Sequence, residues 1–494
     1  MGRRVSILSL AGIALWLASC GSADDGQFDV AFIESEETLF ADGNRLSQAG
    51  QHVRAATRSG MVALNQQGEV IPALADRWNV IEDGSVFVFR LREGSWPNGE
   101  ELTADSVRRA LDRSIRNLRG TSLGLDLSPI DDVRAMAGRV VEIRLSSPMP
   151  DLLRLLAQPE LGLVNGEGET GPLELEREDS GAILTLRPPE QRGLPLDEDW
   201  QDFARPIRVH ALGPEQAMER FANGEIEVVL GGTLGNFPLA DTGPLSRGTV
   251  RVDPAYGLFG LQVLRARGVL ATPELREAFA MAIDRRELMA PFNLGGWVAT
   301  TRIVAPDLPA DPRINDERWQ DLSVEQRRSE AAARFSAWRS RNTAEENAAG
   351  MTLTVDIGNG PGLEILLAGL VRQFAPLGIT VTRAADGEAA DLLLVDRLAR
   401  YAAPMWFLNQ FNCLLERGLC SEEADISASE ALDETNPEIR AGLLAQAEGA
   451  LMRENAYIPI GTPLRWSLVR GNVDGFTGNR WAFHPLQDMA VIPR

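Results

Sequence analysis

The stretch from Met61 to Ile115 constrains the fold more tightly than any other. Met61-Val62-Ala63-Leu64 is a short apolar run closed by the polar turn Asn65-Gln66-Gln67-Gly68. Val70 to Ala75 and Trp78 follow, and Asp83-Gly84 turns the chain again. Val86-Phe87-Val88-Phe89, with Leu91, is apolar at successive positions, so both faces of the predicted strand must be covered. Pro97-Asn98-Gly99 is another turn. Thr103 stands where a helix N-cap belongs, Asp105 lies in the first turn, and Val107, Ala110, Leu111, Ser114 and Ile115 share one helical face. Strand, turn, strand and capped helix make a compact α/β piece. By themselves they name no function.

The flanking chain continues the α/β pattern. Strands are predicted at Val30–Ile33, Val140–Leu145, Ile207–His210 and Ile226–Leu230, with helices at Leu152–Leu156 and Glu215–Asn223. Residues 165–200, rich in Gly, Pro, Asp and Glu, read as exposed connection around one strand, Ala182–Leu186. Thr272 caps a helix with Pro273 at its first position. Leu275, Phe279, Ala282 and Ile283 are its buried stripe, and the pattern runs on to Arg285. Residues 316–348 are polar and helical. Met351–Ile357, the helix Pro361–Phe374 and the strand Gly378–Val381 form a βαβ unit. Its turn, Gly358 to Gly362, lacks the spacing of a dinucleotide fingerprint, and no Gly-Lys-Ser/Thr follows. A last amphipathic helix spans Arg440–Arg453, and Tyr457–Ile460 with Arg465–Arg470 crosses back toward the N-terminal part of the chain.

With 494 residues the chain can build two or three domains with full cores. Every one of its 49 basic residues is arginine, yet the net charge is -21. That balance argues against a nucleic-acid or anionic-membrane partner, which needs a basic face. His52, His210 and His484 are scattered without metal-ligand spacing, and neither Gly-x-Ser-x-Gly nor His-Glu-x-x-His occurs. No catalytic residue, metal or cofactor is expected.

The N-terminus reads as a leader. Arg3-Arg4 precedes an apolar segment, Val5 to Leu17, and Leu17-Ala18-Ser19-Cys20 resembles a bacterial lipobox. The resemblance implies removal of residues 1–19 and acylation of Cys20. A plain secretory peptide with an incidental cysteine is the alternative. No second apolar run approaches the roughly 20 residues of a spanning helix. The expected location is therefore the periplasm or cell envelope, with a lipid on Cys20 as the membrane contact and the leaflet left open. In that oxidising compartment Cys413 and Cys420 favour a disulfide worth about 2–3 kcal/mol, two free thiols being the alternative.

The wording of the 61–115 stretch carries a further signal. "Pro-Ala-Leu-Ala-x-x-Trp", "Asp-Gly", "Phe-x-Leu-Arg-x-Gly" and "Trp-x-x-Gly-x-x-Leu-Thr-Ala-x-Asp-Val" follow in order, except that Ser106, between Asp105 and Val107, holds the Asp position of the last. This resembles the signature of solute-binding protein family 5, the extracytoplasmic peptide, nickel and opine receptors of ABC importers. The helix Leu275 to Arg285 is similar to a second family segment. The resemblance implies an α/β, two-lobed periplasmic-binding-protein fold of type II, in the large cluster with an extra subdomain, its lobes joined by a hinge. Residues 20–57, 166–262 and 468–494 would form lobe I, 58–165 an inserted subdomain, and 263–467 lobe II. The implied function is that of a monomeric substrate-binding lipoprotein. It closes around a small solute, peptide-like or of another class, an anionic one included, and delivers it unchanged to an ABC transporter permease. A ligand sensor of the envelope keeping the same fold is the alternative, and a hydrolase ranks behind both.

Ala399 to Asn409 looks like the family's pocket segment, "Ala-Asp-Tyr-x-x-Pro-x-x-Phe-Leu". In peptide binders that Asp meets the ligand's α-ammonium, and a tryptophan three residues earlier lines the cleft. Here the two positions are Arg400 and Arg397. A guanidinium repels an ammonium and suits a carboxylate or phosphate. The expected ligand-binding residues are Arg397, Arg400, Tyr401, Trp406 and Asn409. Arg400 either meets an anionic group of the ligand or faces solvent or pairs with Asp391 or Asp396.

Overall fold

A computed structural model describes residues 28–240, 248–309, 311 and 314–493. The leader 1–19 and the lipidation position Cys20 lie outside them. The strand Phe28–Ile33 is the middle of a seven-stranded sheet. Its odd and even side chains divide between two cores, as the period of two requires. Phe28, Val30 and Phe32 share a core with Val53 and Ala56 of the helix Gln48–Thr57, whereas Ala31 packs with Ala217 and Phe221 of the helix Pro214–Asn223. Ser47 caps the first of these helices, its hydroxyl accepting from Gly50 N at 3.0 Å. Phe28–Ile33 pairs in parallel with Ile207–Leu212 on one side and Val228–Gly232 on the other.

Residues 165–200 are more ordered than the expected connection. Leu173–Glu178 and Gly181–Leu186 form an antiparallel hairpin that extends this sheet through the pairing of Ala182–Leu184 with Ile207–Val209. The Leu-Glu alternation of 173–176 buries one face only, and the acidic composition around it masks that period. The predicted helix from Pro273 also differs. It ends at Ala282, because Ile283 is extended and Asp284 caps a second short helix, accepting from the backbone N–H groups of Arg286 and Glu287.

The 61–115 stretch builds a hairpin (Val62–Leu64 with Val70–Pro72) and half of a four-stranded antiparallel sheet. The sheet runs Ala75–Ile81, Val86–Leu91, Val140–Leu145, Ile130–Ala135. The helix Ala104–Asn117 packs on it, started by a reciprocal box: Ser106 N donates to Thr103 Oγ1 at 3.2 Å and Thr103 N to Ser106 Oγ at 3.1 Å.

A five-stranded sheet holds the βαβ unit. Its order is Thr380–Arg383, Thr352–Asp356, Leu392–Leu398, Gly257–Val263, Tyr457–Gly461, with the first two pairings parallel. All seven residues of Gly257–Val263 are buried. A side chain at Gly260 would collide with the carbonyl of Ile458 and the ring of Tyr457, so only glycine fits there.

The two large sheets are linked by two neighbouring passages of the chain. Val250–Asp253 pairs with Arg465–Val469 in the first sheet, and Gly257–Val263 pairs with Tyr457–Gly461 in the second. Residues 254–256 and 462–464 are the short links between them. The borders read from sequence at 262/263 and 467/468 fall inside strands beyond these links.

Candidate functional site

The strand Leu392–Leu398 delivers the site residues. It ends in Asp396, Arg397 and Leu398, continues through Arg400 and Tyr401, and enters the helix Pro404–Asn409, all six of whose residues are buried. Beside it lies a cavity of about 500 Å³, a size suited to a small solute. Six arginines line it (Arg45, Arg154, Arg397, Arg400, Arg417, Arg465) against three acidic side chains, Asp126, Glu160 and Asp396. Trp406, Trp481 and Phe483 supply apolar wall.

Arg400 lines the cavity but is already partnered. Its guanidinium forms a fork on Glu160, with Nη2 2.5 Å from Oε1 and Nη1 3.1 Å from Oε2, and Nη1 also donates to Gln158 Oε1 at 2.8 Å. Pairing with Asp391 or Asp396 does not occur. Asp391 is taken by Arg265 and Arg267, and Asp396 by Arg465 at 2.6 Å. Glu160 lies 240 residues away in sequence, which is why no local pattern announces the pair. Arg397 lines the cavity with a single side-chain partner, Gln410 Oε1 at 3.2 Å. Burial, with the charge of Arg417 added, lowers its pKa to about 10. Arg154 lies 3.9 Å over the ring of Trp481 and donates to Gly68 O at 2.5 Å.

Of the expected aromatic and amide residues, Trp406 reaches the cavity, while Tyr401 and Asn409 do not line it. Both instead hold Asp126. Tyr401 Oη donates to Asp126 Oδ1 at 2.9 Å, and Asn409 Nδ2 donates to the same oxygen at 2.7 Å. The other oxygen, Oδ2, is buried and has no partner. Burial pushes the Asp126 carboxyl up to about 7, against the two hydrogen bonds and the nearby Arg400. Asp126 closes the short helix Ser122–Asp126, and the sequence reading did not find it. Its one signal is an acid set in the apolar run Leu123-Gly124-Leu125-Asp126-Leu127.

The family described as "Bacterial extracellular solute-binding proteins, family 5 Middle" matches residues 69–412. The chain belongs to this family. Dipeptide-binding protein DppE of Bacillus subtilis is 23% identical to it over 448 residues, covering 81% of this chain and 80% of DppE. The murein tripeptide binding protein MppA of Escherichia coli superposes with a TM-score of 0.78 at 17% identity, covering 95% and 99% of the two chains. OppA of Burkholderia pseudomallei gives 0.79 at 18% identity, covering 95% and 100%. This family-5 protein thus has the α/β, two-lobed periplasmic-binding-protein fold, and its relatives are binding proteins rather than enzymes.

The histidines of the family-5 protein are tied into its interior. His210 Nε2 lies 2.6 Å from Asp29 Oδ1, and His484 Nε2 lies 3.1 Å from Asp253 Oδ2. His52 stacks on Phe483, and burial drives its pKa down to about 3. Cys413 and Cys420 are joined, with Cα atoms 5.3 Å apart, and the loop they close carries Leu415 and Arg417 to the cavity wall.

Proposed function

We propose that this family-5 protein is the extracytoplasmic receptor of an ABC importer, carrying a small peptide-like solute to a permease without altering it. The observation that carries the reading is the cavity of about 500 Å³, walled by chain segments from Asn44 to Phe483. The dipeptide and murein tripeptide binding of the relatives supports a ligand of that class.

In this reading the seven-stranded sheet is the core of lobe I and the five-stranded sheet that of lobe II. Residues 58–165 form the inserted subdomain, and the links 254–256 and 462–464 act as the hinge. A solute touching both lobes is fully contacted only when they close, so it shifts the population toward the closed form. A permease can then tell a loaded receptor from an empty one. Arg397, Trp406 and Asp126 meet the solute; Arg400, Tyr401 and Asn409 hold the wall in place. The protein works as a monomer in the envelope, tethered through acylated Cys20.

Native mass spectrometry of protein purified from its own envelope, paired with solution scattering, tests the proposal. The expected result is a bound solute released with its mass unchanged and a radius of gyration that falls on reloading. Conversion of the solute to a product, or scattering indifferent to ligand, overturns it.

A further inference from the structure

The chain is strongly acidic, yet its cavity is lined by twice as many arginines as carboxylates. The pairings sharpen the contrast. Glu160 is taken by Arg400, and Asp396 by Arg465. Asp126 is the one remaining acid in the wall, and it is hydrogen-bonded to Tyr401 and Asn409. Among the described residues, no carboxylate pairs with Arg45, Arg397 or Arg417, all three of which line the cavity. Nη1 of Arg417 is buried with no partner, and Arg397 has only the neutral Gln410. Burial and mutual repulsion disfavour the charge on both, Arg417 acting on Arg397 and Arg45 on Arg417. Like charges gathered in a partly buried wall are costly unless something negative arrives between them.

We infer that Arg397, Arg417 and Arg45 form an oxyanion seat, so that the cavity selects solutes carrying a carboxylate or phosphate in excess of their positive charge. This rests on the carrier reading above and names its substrate class. Arg397 and Arg417 supply the forks that match an oxyanion, and the more exposed Arg45 closes the seat from the rim. The Cys413–Cys420 bridge holds the loop that carries Arg417, which limits the ordering left to do on binding. A field of one sign focused in a low-dielectric pocket raises the local concentration of such solutes even though the outer surface repels them.

The test is titration of the full chain with four N-acetylated tripeptide amides, followed by the fluorescence of Trp406 and Trp481, which line the same cavity. The peptides are Ala-Ala-Ala, Ala-Glu-Ala, Ala-phosphoserine-Ala and Ala-Arg-Ala. The expected order places both acidic probes at least about tenfold tighter than the neutral one, with the basic one weakest. Whichever acidic probe binds tighter identifies the group as carboxylate or phosphate. In Arg397→Gln and Arg417→Gln the acidic preference drops by roughly tenfold, the acidic probes weakening far more than the neutral one. Arg417→Lys, which keeps the charge and the fold but loses the fork, retains part of the preference. A neutral or basic probe that binds as tightly as the acidic ones overturns the inference and leaves the carrier reading standing. An acidic preference that survives both glutamine variants also overturns it. If none of the four binds while native mass spectrometry still shows a bound solute, the inference is overturned and the carrier reading stands.

Discussion

Asp126 and Glu160 are the two carboxylates on which the chemistry of the cavity wall turns, and they behave differently because their partners differ. Asp126 receives two neutral donors on one oxygen and nothing on the other, so burial dominates and its pKa rises to about 7. An exposed aspartate in the unfolded chain titrates near 4. Between those values the folded protein holds a proton that the unfolded chain has shed. Asp126 therefore favours the folded state fully below about pH 4, and that contribution drains away as the pH climbs to 7. The difference is about 4 kcal/mol across the window. Denaturation of wild type and Asp126→Asn at pH 4 and pH 8 should show it, with the asparagine variant gaining relative to wild type as the pH rises. Glu160, in contrast, meets a full charge. Glu160→Gln strands Arg400 and should lower stability by about 2–3 kcal/mol, somewhat below the cost for a fully buried pair because the Arg400 side chain is 22% exposed. The same variant adds a free cation to the wall, so the acidic probes should bind it more tightly. The sequence drew the eye to Arg397 and Arg400, whose identities are unusual at their positions. It could not show that a glutamate 240 residues upstream answers Arg400, nor that Tyr401 and Asn409 both hydrogen-bond a distant aspartate.

The elements best legible in the chain were those whose signals are local. The capped helix Ala104–Asn117, the βαβ unit around Pro361–Phe374 and the strand Val86–Leu91 each announce themselves by a cap, a period or a turn. The central strand Gly257–Val263 does not. It reads Gly-Leu-Phe-Gly-Leu-Gln-Val, and glycine is a poor strand former unless a neighbouring backbone needs the room, which here it does at Gly260. Of the hairpin 173–186, the strand at Ala182–Leu186 was legible, whereas Leu173–Glu178 was hidden by an acidic composition that resembles loop. The bridged loop 413–420 brings Leu415 and Arg417 to the cavity wall. Replacing both cysteines with serine should cost about 2 kcal/mol of stability, measurable by denaturant titration. Arg417 then loses its anchorage, so affinity for Ala-Glu-Ala should fall more than affinity for Ala-Ala-Ala.

At the scale of the whole molecule, the two sheets meet through two short links, and the surface and the cavity carry opposite signs. Fold and family were legible because the run from Met61 to Ile115 preserves the order of so many family features at once. The strands Arg465–Val469 and Gly257–Val263 sit on opposite sides of the links, and Pro254 and Pro463 within those links are only two of 28 prolines, so they do not single out the change of sheet. The opposed signs have a kinetic signature. A net charge of -21 repels an acidic solute at long range, and that repulsion is screened beyond about 10 Å at 0.1 M salt. Stopped-flow fluorescence should show association of Ala-Glu-Ala speeding up from low to moderate salt. Its dissociation should quicken too, because the arginine seat is also weakened. A simple basic protein would show a slower association instead.

The absence of lysine gives the cavity one last property. Every cation in its wall is a guanidinium that keeps its proton throughout the physiological range. Glu160 and Asp396 are spoken for, so the unmatched oxygen of Asp126 is the place where a proton can come or go near neutrality. When the surroundings turn sour that oxygen loses its charge and an acidic passenger is gripped harder; when they turn alkaline the grip slackens. Dissociation constants for Ala-Glu-Ala that rise from pH 5.5 to pH 8, in wild type but not in Asp126→Asn, would register a receptor that loads best in acid.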